Sequence, residues 1–401
     1  MTIRKLNFVS LLCSSVINSL GSTMLFVALP FYVYRLTGQA MATGATFFAL
    51  TLPRVLLGSV GGVFADRANR QRLITLANLA SAVALLPLLF VHSANVIWLV
   101  YVVAFLSYSL DQFAAPAERA ILPGLVGRDR LVQANALFTI SNSIVNLLGP
   151  PLGGLLLGVA GFSAVVLIDI ASFVLAAALI ALMRTSNPSV IYAEKFTRMV
   201  SVQFHAAWHD WLDGLRLIRQ QRGIQLVFTV TAIAMVEEGI FNSLWAVWVS
   251  GALKATSFQF GLLGSALGAG ILMGGIAFGR LGNRLNIHIV GISAIMLGVI
   301  LAATINFPIL WLTVALTTIR GTPVVGFFDG VTTLIQQKVQ DAYVGRILGF
   351  FSNVKAVMLL VGTTLAILFT DKVGVIVMLN AASIFWIIAG LTALVLSKKM
   401  D

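Results

Sequence analysis

Long apolar runs, separated by short polar clusters, set the pattern of the chain. Twelve runs are long enough for a membrane helix, which needs about 20 mostly apolar residues. They lie at roughly 8–34, 42–64, 73–91, 96–117, 132–157, 163–183, 224–250, 258–279, 288–305, 309–335, 350–370 and 374–396. Membrane β-strands would alternate apolar and polar over about ten residues. These runs are continuous, so helices are predicted. The first run is soon followed by a second and lacks a small-residue cleavage site, so it reads as a retained helix and not a signal peptide.

The longest polar stretch, Arg184–Gly223, leaves six runs on each side. The expected organisation is a six-helix bundle over 1–183, a cytoplasmic linker over 184–223 and a second bundle over 224–401. Within the linker, Trp208, Trp211, Leu212, Leu215 and Ile218 fall near one helical face, with Asp210 and Asp213 opposite. That pattern predicts an amphipathic helix lying along the membrane surface, with Arg219 snorkelling from its apolar side.

Composition narrows the class. Hydrophobic residues make up 59% and charged residues only 10%, against about 25% charged in a typical soluble domain. An ordinary soluble enzyme and a disordered chain are both excluded. The net charge of +12 could suggest nucleic acid, but its distribution says otherwise. Of the 26 basic residues, Arg35, Lys254 and Lys372 fall on one side of the predicted membrane, and Arg54, Arg320 and Lys355 fall within spans. The remaining twenty share the side of both termini, which the positive-inside rule makes cytoplasmic. No nucleic-acid partner is implied. The one cysteine, Cys13, allows no intrachain disulfide, and His92, His205, His209 and His288 all lie away from span centres. No metal or other cofactor is expected. The sequence holds no H-E-x-x-H, nucleophile elbow or Walker A motif, which argues against an enzyme and against direct use of ATP.

The two halves repeat weakly at an offset of about 211–216, as helix-bundle transporters do. GGVFADRANR follows the second run and GGIAFGRLGNR the eighth; LIDIASF in the sixth answers MLNAASIF in the twelfth. The segment from Gly62 through Asp66, Arg67 and Arg70 to Arg72 resembles motif A of the major facilitator superfamily, with Asn69 where the motif has glycine. The resemblance implies a conformational latch. Gly62 permits close helix approach, Asp66 caps or pairs, and Arg67 and Arg70 bridge acids, with Glu118 as the acid for Arg70. The second half keeps Gly275, Arg280 and Arg284 but has Gly279 in place of the acid. Gly149-Pro150-Pro151-Leu152-Gly153-Gly154 resembles the core of motif C, associated with exporters; its upstream glycine is Val145 here. With Pro116–Pro123, Asp169–Phe173, Asp213–Arg216 and Gly345-Arg346, the chain is similar to the macrolide-efflux-type, drug/proton antiporter branch. The resemblance implies an all-α membrane protein with twelve transmembrane helices in two pseudo-symmetric six-helix bundles. It implies export of amphipathic small molecules, macrolide-like or cationic, in exchange for protons, by rocking 1–183 against 224–401. An endogenous metabolite such as a siderophore or lipid, or proton-coupled uptake, are the alternatives. A monomer in the lipid bilayer of the inner membrane is expected.

Charges inside a span cost about 2.5–3.5 kcal/mol each at its centre, so they mark function or pairing. They are Arg54, Asp111, Asp169, Glu237, Glu238, Arg320, Asp329 and Lys355. In the fold resembled, spans 1, 4, 7 and 10 line the cavity, which selects Asp111, Glu237, Glu238, Arg320 and Asp329. Glu237 and Glu238 lead as the proton- or cation-coupling site, with Asp111 and Asp329 next. The competing assignment is a structural salt-bridge network with Arg54 and Arg320. Asp169, on an outer helix, reads as structural.

Overall fold

The computed structural model describes residues 3–183, 221–280, 285–339 and 341–397. The linker and its expected amphipathic helix lie outside the described residues, as do the side chains of Gly62, Asp66 and Arg67. Twelve long helices follow one another: α1 (Ile3–Thr37), α2 (Ala40–Arg67), α3 (Arg70–Leu85), α4 (Trp98–Val126), α5 (Leu131–Ala160), α6 (Phe162–Ala181), α7 (Arg222–Gly251), α8 (Ser257–Gly279), α9 (Ile287–Asn306), α10 (Leu310–Lys338), α11 (Asp341–Val373) and α12 (Val375–Ser397). A 3-10 turn, Leu86–Phe90, extends α3. Each helix is long and apolar enough to cross a bilayer. Among the described residues there is no strand. The all-α, twelve-span reading is therefore correct, and the chain is a multi-pass membrane protein.

Two spans differ from their expected bounds. α4 continues through Pro116 and Pro123 to Val126, where the apolar pattern suggested an end near 117. Proline removes an amide donor, but membrane helices tolerate it when neighbours satisfy the freed carbonyls. The helix stops at Gly127, whose φ of 77° breaks the helical path. α11 starts at Asp341 because the polar segment before the apolar run is also helical.

Helix starts in the two halves use the same device. Asn69 caps α3 by accepting from the Arg72 amide at 3.1 Å, and Asn286 caps α9 by accepting from the Ile289 amide at 3.0 Å. An N-cap side chain satisfies one of the first orphan amides. This gives a use for the asparagine that replaces the motif A glycine.

The residues divide into two compact units. The first comprises α1, α2 from Ala49 onward, α3–α6 and Thr256–Ser265; the second comprises Gly38–Phe48, α7, α8 from Ala266 onward and α9–α12. In the first unit, α1 packs on α5 and α6, and α3 packs on α4 and α6. In the second, α7 packs on α11 and α12, and α9 packs on α10 and α12. Its core gathers Leu297, Phe327, Ile335 and Trp386; that of the first gathers Leu11, Ile74, Ala117 and Ile180.

Close crossings carry much of this packing, since lipid offers no hydrophobic drive between helices. On α5, a Cβ at Gly149 would meet Thr23 Cγ2 at 2.8 Å, and one at Gly153 would meet the Met24 backbone at 2.6–2.7 Å. Gly154 faces the Ser257 backbone, and Gly261 faces the Pro150 carbonyl. Gly275, by contrast, has open space around it. Gly153→Val should therefore cost about 1–3 kcal/mol through overpacking, while Gly275→Ala should be neutral. Thermal melting of the detergent-solubilised protein checks this; equal melting temperatures for the two variants would contradict the crossing.

Candidate functional site

In the second unit, one buried ion pair dominates. Arg320 Nη2 of α10 lies 3.6 Å from Glu237 Oε1 of α7, with Glu237 fully buried and Arg320 nearly so. Each member stands beside a glycine that brings two backbones together. Gly239 abuts Leu359 O and Thr363 N of α11, and Gly362 abuts the Val236 carbonyl, while Thr363 Oγ1 donates to Gly239 O at 3.4 Å. Gly321 abuts Gly270 of α8. The acid and the base are thus held by two main-chain crossings.

The pair is Coulombic without a closed hydrogen-bond network. Neither carboxylate oxygen of Glu237 nor Arg320 Nε has a hydrogen-bond partner. The Trp386 indole N–H stands beside Glu237 but closes no hydrogen bond. The guanidinium lies over the Phe241 ring, its Cζ 4.0 Å from the centroid, a cation–π contact worth about 2 kcal/mol or more when desolvated. Phe241 stacks on Trp245 at 4.9 Å, and Trp245 on Trp248 at 5.3 Å. Arg320 is therefore held by one anion and one aromatic face.

Glu238 is half-buried and accepts from Asn242 Nδ2 at 3.2 Å. It sits about 100° round the helix from Glu237 and acts on it as a neighbouring negative charge. Asp329 lies nine residues beyond Arg320 on α10, on the opposite side of the helix, and is exposed. Arg54 is exposed and belongs to the first unit. Of the acids and bases selected from the sequence, the structure brings Glu237 and Arg320 together.

In the first unit, Asp111 lines a cavity of about 210 Å³. Asp169 lines it too, although its helix made it look structural. Asp169 is buried and accepts from Ser22 Oγ at 3.3 Å and Ser172 Oγ at 3.2 Å. Ser22 Oγ also approaches Asn18 Oδ1 at 3.5 Å, and Asn18 Nδ2 donates to Asn78 Oδ1 at 3.4 Å. Sequence reasoning passed over Asn18, Ser22 and Asn78. The signal was available: Asn18 and Ser22 are four apart on one helical face inside an apolar run.

At the motif A segment, Arg70 reaches the end of α4 through the main chain. Its Nη1 donates to Ala120 O at 2.7 Å and its Nε to Ala65 O at 3.4 Å. The acid expected for it, Glu118, instead lies beside Ser15 of α1. Arg70 thus binds the α4 main chain at Ala120, and not the carboxylate two residues earlier.

A family model described as Major Facilitator Superfamily matches residues 11–363. The chain belongs to the major facilitator superfamily. It is a membrane transporter and not an enzyme. Macrolide efflux protein A of Streptococcus pyogenes is 25% identical over 377 residues, covering 92% of this chain and 91% of that protein. Multidrug efflux pump Tap of Mycolicibacterium fortuitum is 22% identical over 394 residues, covering 95% and 93%. Enterobactin exporter EntS of Salmonella choleraesuis is 26% identical over 270 residues, covering 66% and 61%. Among solved structures, a bacterial homologue of the iron transporter ferroportin in an inward-facing state shares the fold with a TM-score of 0.77 at 13% identity, covering 97% of this chain and 98% of that one. A bacterial homologue of the lysosomal transporter Spinster gives 0.74 at 14% identity, covering 99% and 97%.

Removing one member of a buried pair leaves an uncompensated charge and costs about 3–5 kcal/mol, whereas replacing both by apolar residues is often neutral. Arg320→Leu should therefore lower the melting temperature of this transporter sharply. Arg320→Leu combined with Glu237→Leu should recover most of the loss. Thermal melts of both variants would show it; a double variant as unstable as the single one would contradict the pairing.

Proposed function

We propose that this transporter is a secondary active exporter of amphipathic small molecules, macrolide-like or cationic, in exchange for protons. The single observation that carries the reading is similarity along nearly the whole chain to efflux proteins. The buried Glu237–Arg320 pair supplies a physical basis for coupling. A carboxylate with both oxygens free of hydrogen bonds can take a proton without displacing a donor. Protonation cancels the attraction that holds the guanidinium at 3.6 Å. Arg320 then rests on Phe241 alone, and α7 and α10 lose their ionic tie while keeping the cation–π contact. Restoring the anion restores the tie, so proton occupancy selects between two packings of the same helices. Glu238, Asp111 and Asp329 are secondary candidates for the same cycle.

The expected outcome in a pump-deficient bacterium is a raised inhibitory concentration for macrolides or lipophilic cations, abolished by a protonophore. Glu237→Gln, made separately from Glu238→Gln, should reduce proton-driven efflux by about tenfold or more, on the scale where about 1.4 kcal/mol is one decade. Retention of efflux in both variants overturns the coupling assignment. The similarity to an enterobactin exporter favours a second reading, export of an endogenous metabolite such as a siderophore. No change in susceptibility to any compound in the panel would favour it.

The proposed setting is the bacterial inner membrane with both termini cytoplasmic. In a Cys13→Ser background, Ser93→Cys should react with an impermeant maleimide in intact cells. Asn286→Cys should react only after permeabilisation, and the reverse pattern overturns the orientation.

A further inference from the structure

The two units treat their buried acids differently. Glu237 has an internal cation 3.6 Å away. Asp169, equally sheltered at 2% exposure, has none. Two serine hydroxyls reach its Oδ1, and among the described residues no hydrogen bond reaches Oδ2. Beside it is space: the cavity of about 210 Å³ bounded by α1, α2, α3, α4 and α6. Asp111 lines the same cavity and is exposed. The lining includes no Lys, Arg or His. Arg119, further along α4, acts on Asp111. Tyr108 stands within electrostatic reach of both carboxylates.

A buried carboxylate without a compensating charge is costly. Here the cavity lining supplies room for a cation but no basic side chain. We propose that this cavity is a binding site for a small organic ammonium group, with Asp169 as its anionic anchor and Asp111 as a second carboxylate on its accessible side. The space has room for an organic group, and a bare metal ion would leave most of it unfilled. The donor set agrees: no group of three or more His, Cys, Asp or Glu suited to a metal occurs among the described residues. The rest of the wall is apolar, with Leu29, Leu85, Leu88 and Val103 among its residues. That surface suits the hydrocarbon body of an amine and not a hydrated ion. Ammonium hydrogens meet Asp169 Oδ2 and the Ser107 hydroxyl, which is buried without a partner. Gly21 makes the anchor possible, because a Cβ there would stand 2.8 Å from Asp169 Oδ1.

The inference rests on the exporter reading only for the source of its ligand. It is tested by calorimetry on the full-length protein in nanodiscs, with benzylammonium as probe, benzyl alcohol as its uncharged counterpart and calcium chloride as competitor. Benzylammonium should bind and benzyl alcohol should not. Asp169→Asn, which keeps shape and removes charge, should weaken binding at least tenfold. Ser107→Leu, which keeps the charge and fills the space, should weaken it comparably, so the result does not depend on one variant folding. Asp371→Asn, an exposed acid on α11, should bind as the parent does. Equal affinity for the alcohol, unchanged binding in folded Asp169→Asn, or displacement of the amine by calcium at lower concentration each overturns the proposal. Absence of efflux for every compound in cells would overturn the exporter reading while leaving this binding result standing. Efflux that persists alongside unaltered binding in Asp169→Asn would overturn only the site.

Discussion

The absence of water in the bilayer core constrains everything else in this molecule. Backbone groups must pair within their own segment, which forces helices. Apolar surface gives no drive for those helices to associate, which hands packing to glycine crossings and polar contacts. A charge inside must be paired, screened by donors, or met by something from outside. The structure displays each solution. Arg320 and Glu237 neutralise one another; Arg70 is spread over main-chain carbonyls; Asp169 leans on serine hydroxyls beside an open cavity.

These solutions are set by crossings a few residues away. Gly239 and Gly362 fix where Glu237 stands, and Gly270 and Gly321 fix where Arg320 stands. Charge placement and helix packing are therefore one problem. A change in the pair's ionisation acts directly on α7 and α10, and through their glycines on α8 and α11. The aromatic stack of Phe241, Trp245 and Trp248 extends the site along α7 without adding another charge.

The fold was legible because its signal is additive: twelve apolar runs each near bilayer length need no tertiary information. Motif identity was legible for the same reason, being local. The site was legible only as a set of candidates. One-dimensional reading finds Glu237 and Arg320 as internal charges, but their pairing depends on two helix crossings 83 residues apart in sequence, from 237 to 320. Helix order alone does not decide which residues face a cavity, and Asp169, on an outer helix, lines one. In fact a bundle can enclose a cavity of its own, reached by Asn18, Ser22 and Asn78 from other helices. Arg70 was aimed at a carboxylate because charges are visible in a sequence. A main-chain carbonyl, which every residue carries, is not.

The consecutive glycines of α5 have a mechanical meaning. Gly153 meets the bare backbone at Met24 and Gly154 the bare backbone at Ser257. Such contacts have no interlocking side chains. Interdigitated leucines key two helices together like gear teeth, and shifting them needs a change of rotamer at every tooth. Backbone against backbone is closer to a bearing: it resists compression, yet offers little resistance to a small slide along the axis. At this point α5 bears load without being keyed to its neighbours.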